Sequence, residues 1–184
     1  MDIDNNKIKQ DIIERLLKLD EEVSLCFDDD TYYEMVLVGG GALVLIDKLT
    51  RATQDIDAIL LPTELQPFLE KYDINNHVTA FINNFDPNYY NRRVPINIPS
   101  KKIKFFTASL EDIVIAKLFS NRPKDKQDLF NPDIIKALDW NKLEEIINSE
   151  DFKDNMLNEH QYKMFWYNYR DYKEEALKWD SLHY

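Results

Sequence analysis

Glycine occurs three times in this 184-residue chain, and all three stand together as Gly39-Gly40-Gly41, between the β-prone run EMVLV and the apolar run ALVLIDKL. Glycines at a strand-to-helix junction let the backbone turn tightly and let another group come close to the main chain. The N–H groups freed at the start of such a helix also suit a phosphate. Two familiar glycine motifs are excluded. A P-loop needs spaced glycines and a Gly-Lys-Ser/Thr ending, and a dinucleotide fingerprint needs G-x-G-x-x-G. Taken alone, the triplet is explained equally well by a tight corner with no ligand.

A pair of aspartates changes the reading. Asp55 and Asp57 fall in DIDAILL, which reads as a strand ended by Pro62. Residues two apart on a strand leave the same face, so both carboxylates are expected on one side and Ile56 and Ala58 in the core. Two carboxylates so placed repel each other unless a cation lies between them. Magnesium favours carboxylate oxygens together with substrate phosphates. The pair follows the glycines by about fifteen residues, enough for one buried helix and a return turn.

Along the rest of the chain, Ile8, Ile12, Ile13, Leu16, Leu17 and Leu19 predict an amphipathic helix over 5–25. TELQPFLEKY predicts a helix with Thr63 near its cap. HVTAFI, RRVPINI and KIKFFTA are β-like pieces separated by Asn, Asp and Pro. From SLEDIVIAKLFS onward the chain is helical, opening with Ser109 and Asp112 in capping-box spacing. Strands first and helices later predict an α+β fold: a small mixed sheet in a core over 1–107, and a helical part over 108–184 packed on it as a single compact unit.

Composition narrows the partners. The net charge of −11 excludes a broadly basic nucleic-acid platform, while leaving room for a local basic strip or a basic protein partner. A single cysteine, Cys26, allows no internal disulfide and suits a reducing cytoplasm. His77, His160 and His183 lie far apart, which argues against a zinc cluster. The polar, acidic first residues do not read as a signal peptide, and no apolar run is long enough to span a membrane. The aromatic stretch QYKMFWYNYRDY reads foremost as packing by Phe165, Trp166, Tyr169 and Tyr172, and secondarily as a stacking surface for RNA bases.

LVGGGALVLIDKLTRATQDID resembles the signature of the nucleotidyltransferase superfamily, Gly-Gly-x followed after a spacer by Asp-x-Asp. More narrowly, Gly-Gly-x-Ala-Leu with Arg51-Ala-Thr53-Gln-Asp55-Ile-Asp57 is similar to the abortive-infection (AbiEii-like) nucleotidyltransferase toxins and their small relatives, and SLEDIVIAKLFSNRPKDKQDL is similar to their downstream block. The resemblance covers residues 36–61 and 107–130 closely and 62–106 loosely. It implies a polymerase-β-like sheet core and transfer of a nucleotidyl group from a nucleoside triphosphate to a hydroxyl of RNA (tRNA) or protein. It implies magnesium or manganese held by Asp55 and Asp57, and nucleotide contacts from Gly39, Gly40, Gly41, Ala42, Arg51, Thr53 and Lys117. Asp55, Asp57, Lys117 and Asp125 are the implied catalytic set. The implied role is the toxin of a toxin–antitoxin or phage-defence pair, with a cognate antitoxin as partner. A nucleotide-binding protein with weak or lost activity, and an antitoxin that nucleotidylates its toxin, are the other roles. Nothing in the sequence sets the nucleotide, the acceptor or the oligomeric state.

Lys117 stands out on its own. It falls on the apolar stripe of Leu110, Ile113, Val114 and Leu118, so its ammonium must find an acid or phosphate or reach out past the helix edge. Asp125 and Asp128 share a helix face, and Arg122 is placed to pair with them. The sequence departs from the superfamily pattern twice. Gly41 stands where Ser or Thr is frequent, and the best match to a third acid on a later strand is Asn97 in Ile96-Asn97-Ile98, with Asp86 in a turn as the other candidate. A confined basic strip of Arg92, Arg93, Lys101, Lys102 and Lys104 is the expected binding surface for an acidic substrate.

Overall fold

The computed structural model describes residues 5–28, 30–49, 53, 55–59, 61–156 and 159–183. They fall into two units: residues 1–82 with 91–109, and residues 83–90 with 110–184.

In the first unit, α1 (Asn5–Cys26) buries Ile12, Leu16, Leu19 and Val23 at helical spacing. It is followed by β1 (Tyr33–Val38), α2 (Gly39–Leu45) and β2 (Ile56–Ile59). A broken helical stretch comes next, with α3 (Gln66–Leu69) between two 3-10 turns, then β3 (Ile74–Asn75), β4 (Val94–Pro95) and β5 (Ile103–Thr107). Among the described residues the strands form one mixed sheet in the order β3-β2-β1-β5-β4. β1 lies at its centre, antiparallel to β2 and parallel to β5. Its Met35, Val36, Leu37 and Val38 are all buried, as a strand covered on both faces requires. On β5 the pattern alternates, with Ile103, Phe105 and Thr107 buried and Lys104 exposed.

Three sequence expectations are corrected. HVTAFI does not form a strand: His77–Asn84 is 3-10 helix kinked at Phe81, and the Asn75 side chain closes a turn just before it. RRVPINI shrinks to the two-residue β4, whose Pro95 has no N–H to offer and so sits at the sheet edge. TELQPFLEKY is interrupted rather than one helix, and no side-chain bond caps it at Thr63.

The start of β5 is fixed from α1 by a buried acid. Asp20 accepts hydrogen bonds from the backbone N–H groups of Lys101 (2.6 Å), Lys102 (2.8 Å) and Ile103 (2.7 Å). No pattern in the sequence marks this aspartate.

The second unit is helical: α4 (Leu110–Leu118), α5 (Pro123–Leu129), α6 (Pro132–Ala137), α7 (Trp140–Asn148), α8 (Glu150–Asp154) and α9 (Glu159–His183). The short helices have clear start signals. Asn131, Asp139 and Ser149 each accept a bond from a first-turn N–H, and α5 and α6 begin with proline. α4 packs on α5, α7 and α9. Phe119, Phe152 and Phe165 pack together with tilted rings, their centroids 4.6 Å apart for Phe119–Phe165 and 5.2 Å for Phe152–Phe165. The aromatic stretch of α9 thus serves packing: Phe165, Tyr169 and Tyr172 are buried, and Tyr162 and Tyr167 are exposed. Among the described residues no helix is long and apolar enough to cross a membrane.

Asp20→Ala is expected to lower stability by about 3 kcal/mol in urea unfolding, because it strips the acceptor from three backbone N–H groups, of which those of Lys102 and Ile103 are buried. A loss under about 0.5 kcal/mol would show that this contact does not fix β5.

Candidate functional site

The glycines do not form a loop ahead of a helix. β1 runs straight into α2, with Val38 extended as the capping residue and Gly39 the first helical residue. Gly39 has φ of +67°, a conformation that side-chain-bearing residues rarely adopt. A methyl group placed on it would lie 2.7 Å from Asp57 Oδ2. The first glycine is thus required by backbone conformation, and its missing side chain is the space the Asp57 carboxylate uses. Gly41 has a different reason. A methyl group there would lie 3.3 Å from the carbonyl oxygen of Asp55 and 3.7 Å from the Cα of Ile56, so α2 rests directly on the backbone that leads into β2. Gly40, Gly41 and Ala42 are buried, and Gly39 is half-buried.

Asp55 stands just before β2, which opens at Ile56, so the two aspartates do not both lie on the strand. Its side chain is exposed, and its carbonyl accepts a bond from the Thr53 hydroxyl at 3.4 Å. Thr53 is buried. Asp57 is half-buried within β2, paired in register with Val38 on β1 and Asn75 on β3. Asn75 donates its side-chain N–H to Asp57 Oδ1 at 3.0 Å. Sequence reasoning passed over Asn75, since an asparagine in DINNH matches no pattern. Arg51 lies outside the described residues.

The second unit holds a charged cluster. Lys117 is buried on α4 and its Nζ donates to Asp125 (2.8 Å) and Asp128 (2.7 Å), both on α5 and both buried. Asp125 also accepts from the Ser120 hydroxyl (2.6 Å) and Arg122 Nε (2.6 Å). Burial pushes the Asp125 pKa up. The charge of Lys117 and the hydrogen bonds from Lys117, Ser120 and Arg122 outweigh it, and the carboxyl ends at about 2.

A family model described as nucleotidyltransferase of unknown function (DUF6036) matches residues 14–177. The chain belongs to this family. Neither the curated proteins nor the solved structures gave a match. Within this nucleotidyltransferase, the structure brings Asp57 against Gly39 and sets the Asp55 backbone against Gly41, while Lys117 and Asp125 meet each other in the second unit.

Neither candidate for a third acid lies on a strand. Asn97 is exposed in the irregular stretch after β4. Asp86, in the second unit, is buried and accepts from the Asn88 N–H at 2.9 Å, the bond of a turn. Among the described residues no group of three His, Cys, Asp or Glu side chains is placed to hold a metal ion. The basic strip is only partly open: Lys102 is buried, and Arg93 pairs with Glu34 at 3.1 Å and covers the Phe106 ring at 4.5 Å.

Gly39→Ala is expected to cost about 1–2 kcal/mol through its positive φ and to turn the Asp57 carboxylate aside, which a crystal structure of the variant checks. Gly41→Ala meets backbone instead of a mobile side chain, so α2 must lift from β2, at about 1–3 kcal/mol. Lys117→Met leaves two buried carboxylates facing each other and is expected to cost about 3–5 kcal/mol. Asp125 is held ionised, so its contribution is complete above about pH 4 and fades as pH falls from about 4 to about 2. Urea unfolding across that window should show the loss, and Asp125→Asn should flatten it.

Proposed function

We propose that this nucleotidyltransferase moves a nucleotidyl group from a nucleoside triphosphate to a hydroxyl of RNA or protein, at the corner where Asp57 meets Gly39. The observation that carries the reading is this contact, which leaves room at Gly39 for a carboxylate and for no side chain. The donor set suits a hard cation. Asp57 and the exposed Asp55 are oxygen ligands, and two carboxylates with substrate phosphates are the usual complement for magnesium. Magnesium or manganese, when bound there, offsets the negative charge of the phosphate oxygens.

In the reaction the acceptor oxygen attacks the α-phosphorus and forms a new P–O bond. The bond from that phosphorus to the bridging oxygen breaks, pyrophosphate leaves with the electron pair, and the hydroxyl proton passes to water. The chain's own part is positioning and electrostatic stabilisation. Gly39 is the accessible residue of the corner, and Gly40, Gly41 and Ala42 set its path from within the core. Thr53 steadies the Asp55 main chain through its hydroxyl, and Arg51 stands two residues before Thr53 in sequence. Lys117 and Asp125 act by joining α4 to α5, since the ammonium already donates to two carboxylates.

The likeness of the glycine and aspartate blocks to abortive-infection toxins supports a toxin role in a toxin–antitoxin or phage-defence pair, with tRNA as the acceptor and a basic antitoxin as the partner of this acidic chain. A second reading, a nucleotide binder with little or no transfer, is favoured by the lack of a three-acid group among the described residues.

Incubation with labelled nucleoside triphosphates, magnesium and cell extract separates these readings. Label on tRNA is the expected result, label on a single protein supports the antitoxin role, and nucleotide binding with no labelled product supports the binder. Asp57→Ala is expected to reduce labelling at least about 100-fold while keeping the fold. Labelling that survives this change places the chemistry elsewhere.

A further inference from the structure

β3 is two residues long and lies at the edge of the sheet, yet it places one side chain with care. In its parallel pairing with β2, Ile74 is in register with Ile56 and Asn75 with Asp57. Both isoleucines are buried, so the other two side chains leave the opposite face together. An asparagine has two chemically distinct ends, an acceptor oxygen and a donor NH2. Here the oxygen accepts the His77 backbone N–H at 2.8 Å, closing the turn that leads into the 3-10 segment. Only the oxygen can take that bond, so the amide orientation is fixed and its NH2 must point the other way. It reaches Asp57 Oδ1 at 3.0 Å.

The consequence lies at the carboxylate. Rotation of an aspartate about its last torsion is broad and two-fold, so a strand position alone does not decide which oxygen faces where. With Oδ1 held by Asn75, Oδ2 is the oxygen that lies against the Gly39 corner. The geometry points to Asn75 as the positioning residue of the site: it holds Asp57 so that Oδ2 is presented at the glycine corner to a divalent cation and the triphosphate it accompanies. This inference rests on the reading of Asp57 as a metal-binding acid. Residues that hydrogen-bond a metal-binding side chain from behind typically change metal affinity by about 10- to 100-fold when removed.

The test uses Mn2+ as the probe, followed by electron paramagnetic resonance with the full chain. Asn75→Ser is the first variant, because a serine oxygen still accepts the His77 N–H but is too short to reach Asp57. It is expected to weaken Mn2+ binding about 10- to 100-fold, and at saturating metal to lower kcat more than it raises the KM for nucleotide. Asn75→Ser that binds Mn2+ as tightly as the unchanged chain overturns the inference. Asp57→Asn is run beside it. Mn2+ affinity unchanged in Asp57→Asn shows that the metal-site reading underneath has failed, whatever Asn75 does. A second measurement needs no variant at Asn75: the side-chain amide resonances of Asn75 in the unchanged chain, titrated with Mg2+ and a non-hydrolysable triphosphate. They are expected to shift in step with binding. Binding with no movement of those resonances overturns the inference.

Discussion

The seating of α2 on β2 sets the geometry of the first unit, and two glycines permit it by different physics. Gly41 removes bulk, so that a helix can lie on the main chain of Asp55 and Ile56 with no side chain between. Gly39 removes conformational cost, since φ of +67° is strained for nearly every other residue. Any side chain at 41 would push helix from strand. Any at 39 would strain the corner and displace the carboxylate. β1 is central because it pairs with both β2 and β5, and it hands the chain directly to the helix that covers β2.

Much of this was legible in the sequence, and the parts that were share a cause. The helix of α1, the buried run of β1 and the helical character of the chain from Leu110 onward rest on periodicity, which depends on neighbours a few residues away. The likeness of the glycine and aspartate blocks also named the superfamily correctly. The region from Thr63 to Ser100 was less legible. Its apolar residues are enough to suggest strands, but whether they pair is decided by distant parts of the sheet, and most do not. The exact start of β2 was missed for the same reason: Asp55 looks like a strand residue by alternation, but the strand pairing takes hold only from Ile56. Asp20 and Asn75 were invisible because each acts on a partner far away in sequence, 83 residues on for the Ile103 N–H and 18 back for Asp57.

Lys117 illustrates how a correct local inference leaves its purpose open. An inward-facing lysine in an apolar stripe requires an anion, and the sequence showed two candidates a turn apart on the next helix. In the structure Asp125 and Asp128 both accept from it. One cation between two carboxylates leaves a residual negative charge, and Arg122 at Asp125 supplies the second positive group. Buried charges of this kind tie α4 to α5 in one arrangement, because a shift of either helix would strand an ion in a poorly solvating interior.

The acids of this chain are handled in distinct ways, and the distinction bears on function. Asp20 is surrounded by backbone N–H groups and serves as a clasp for β5. Asp125 and Asp128 meet a lysine, which cancels charge where no water can. Asn75 gives Asp57 one hydrogen bond from a neutral amide. A neutral donor orients a carboxylate without neutralising it, whereas a lysine in the same place would compete with any cation for the same oxygens. The edge strand carries such a neutral donor, Asn75, in register with Asp57.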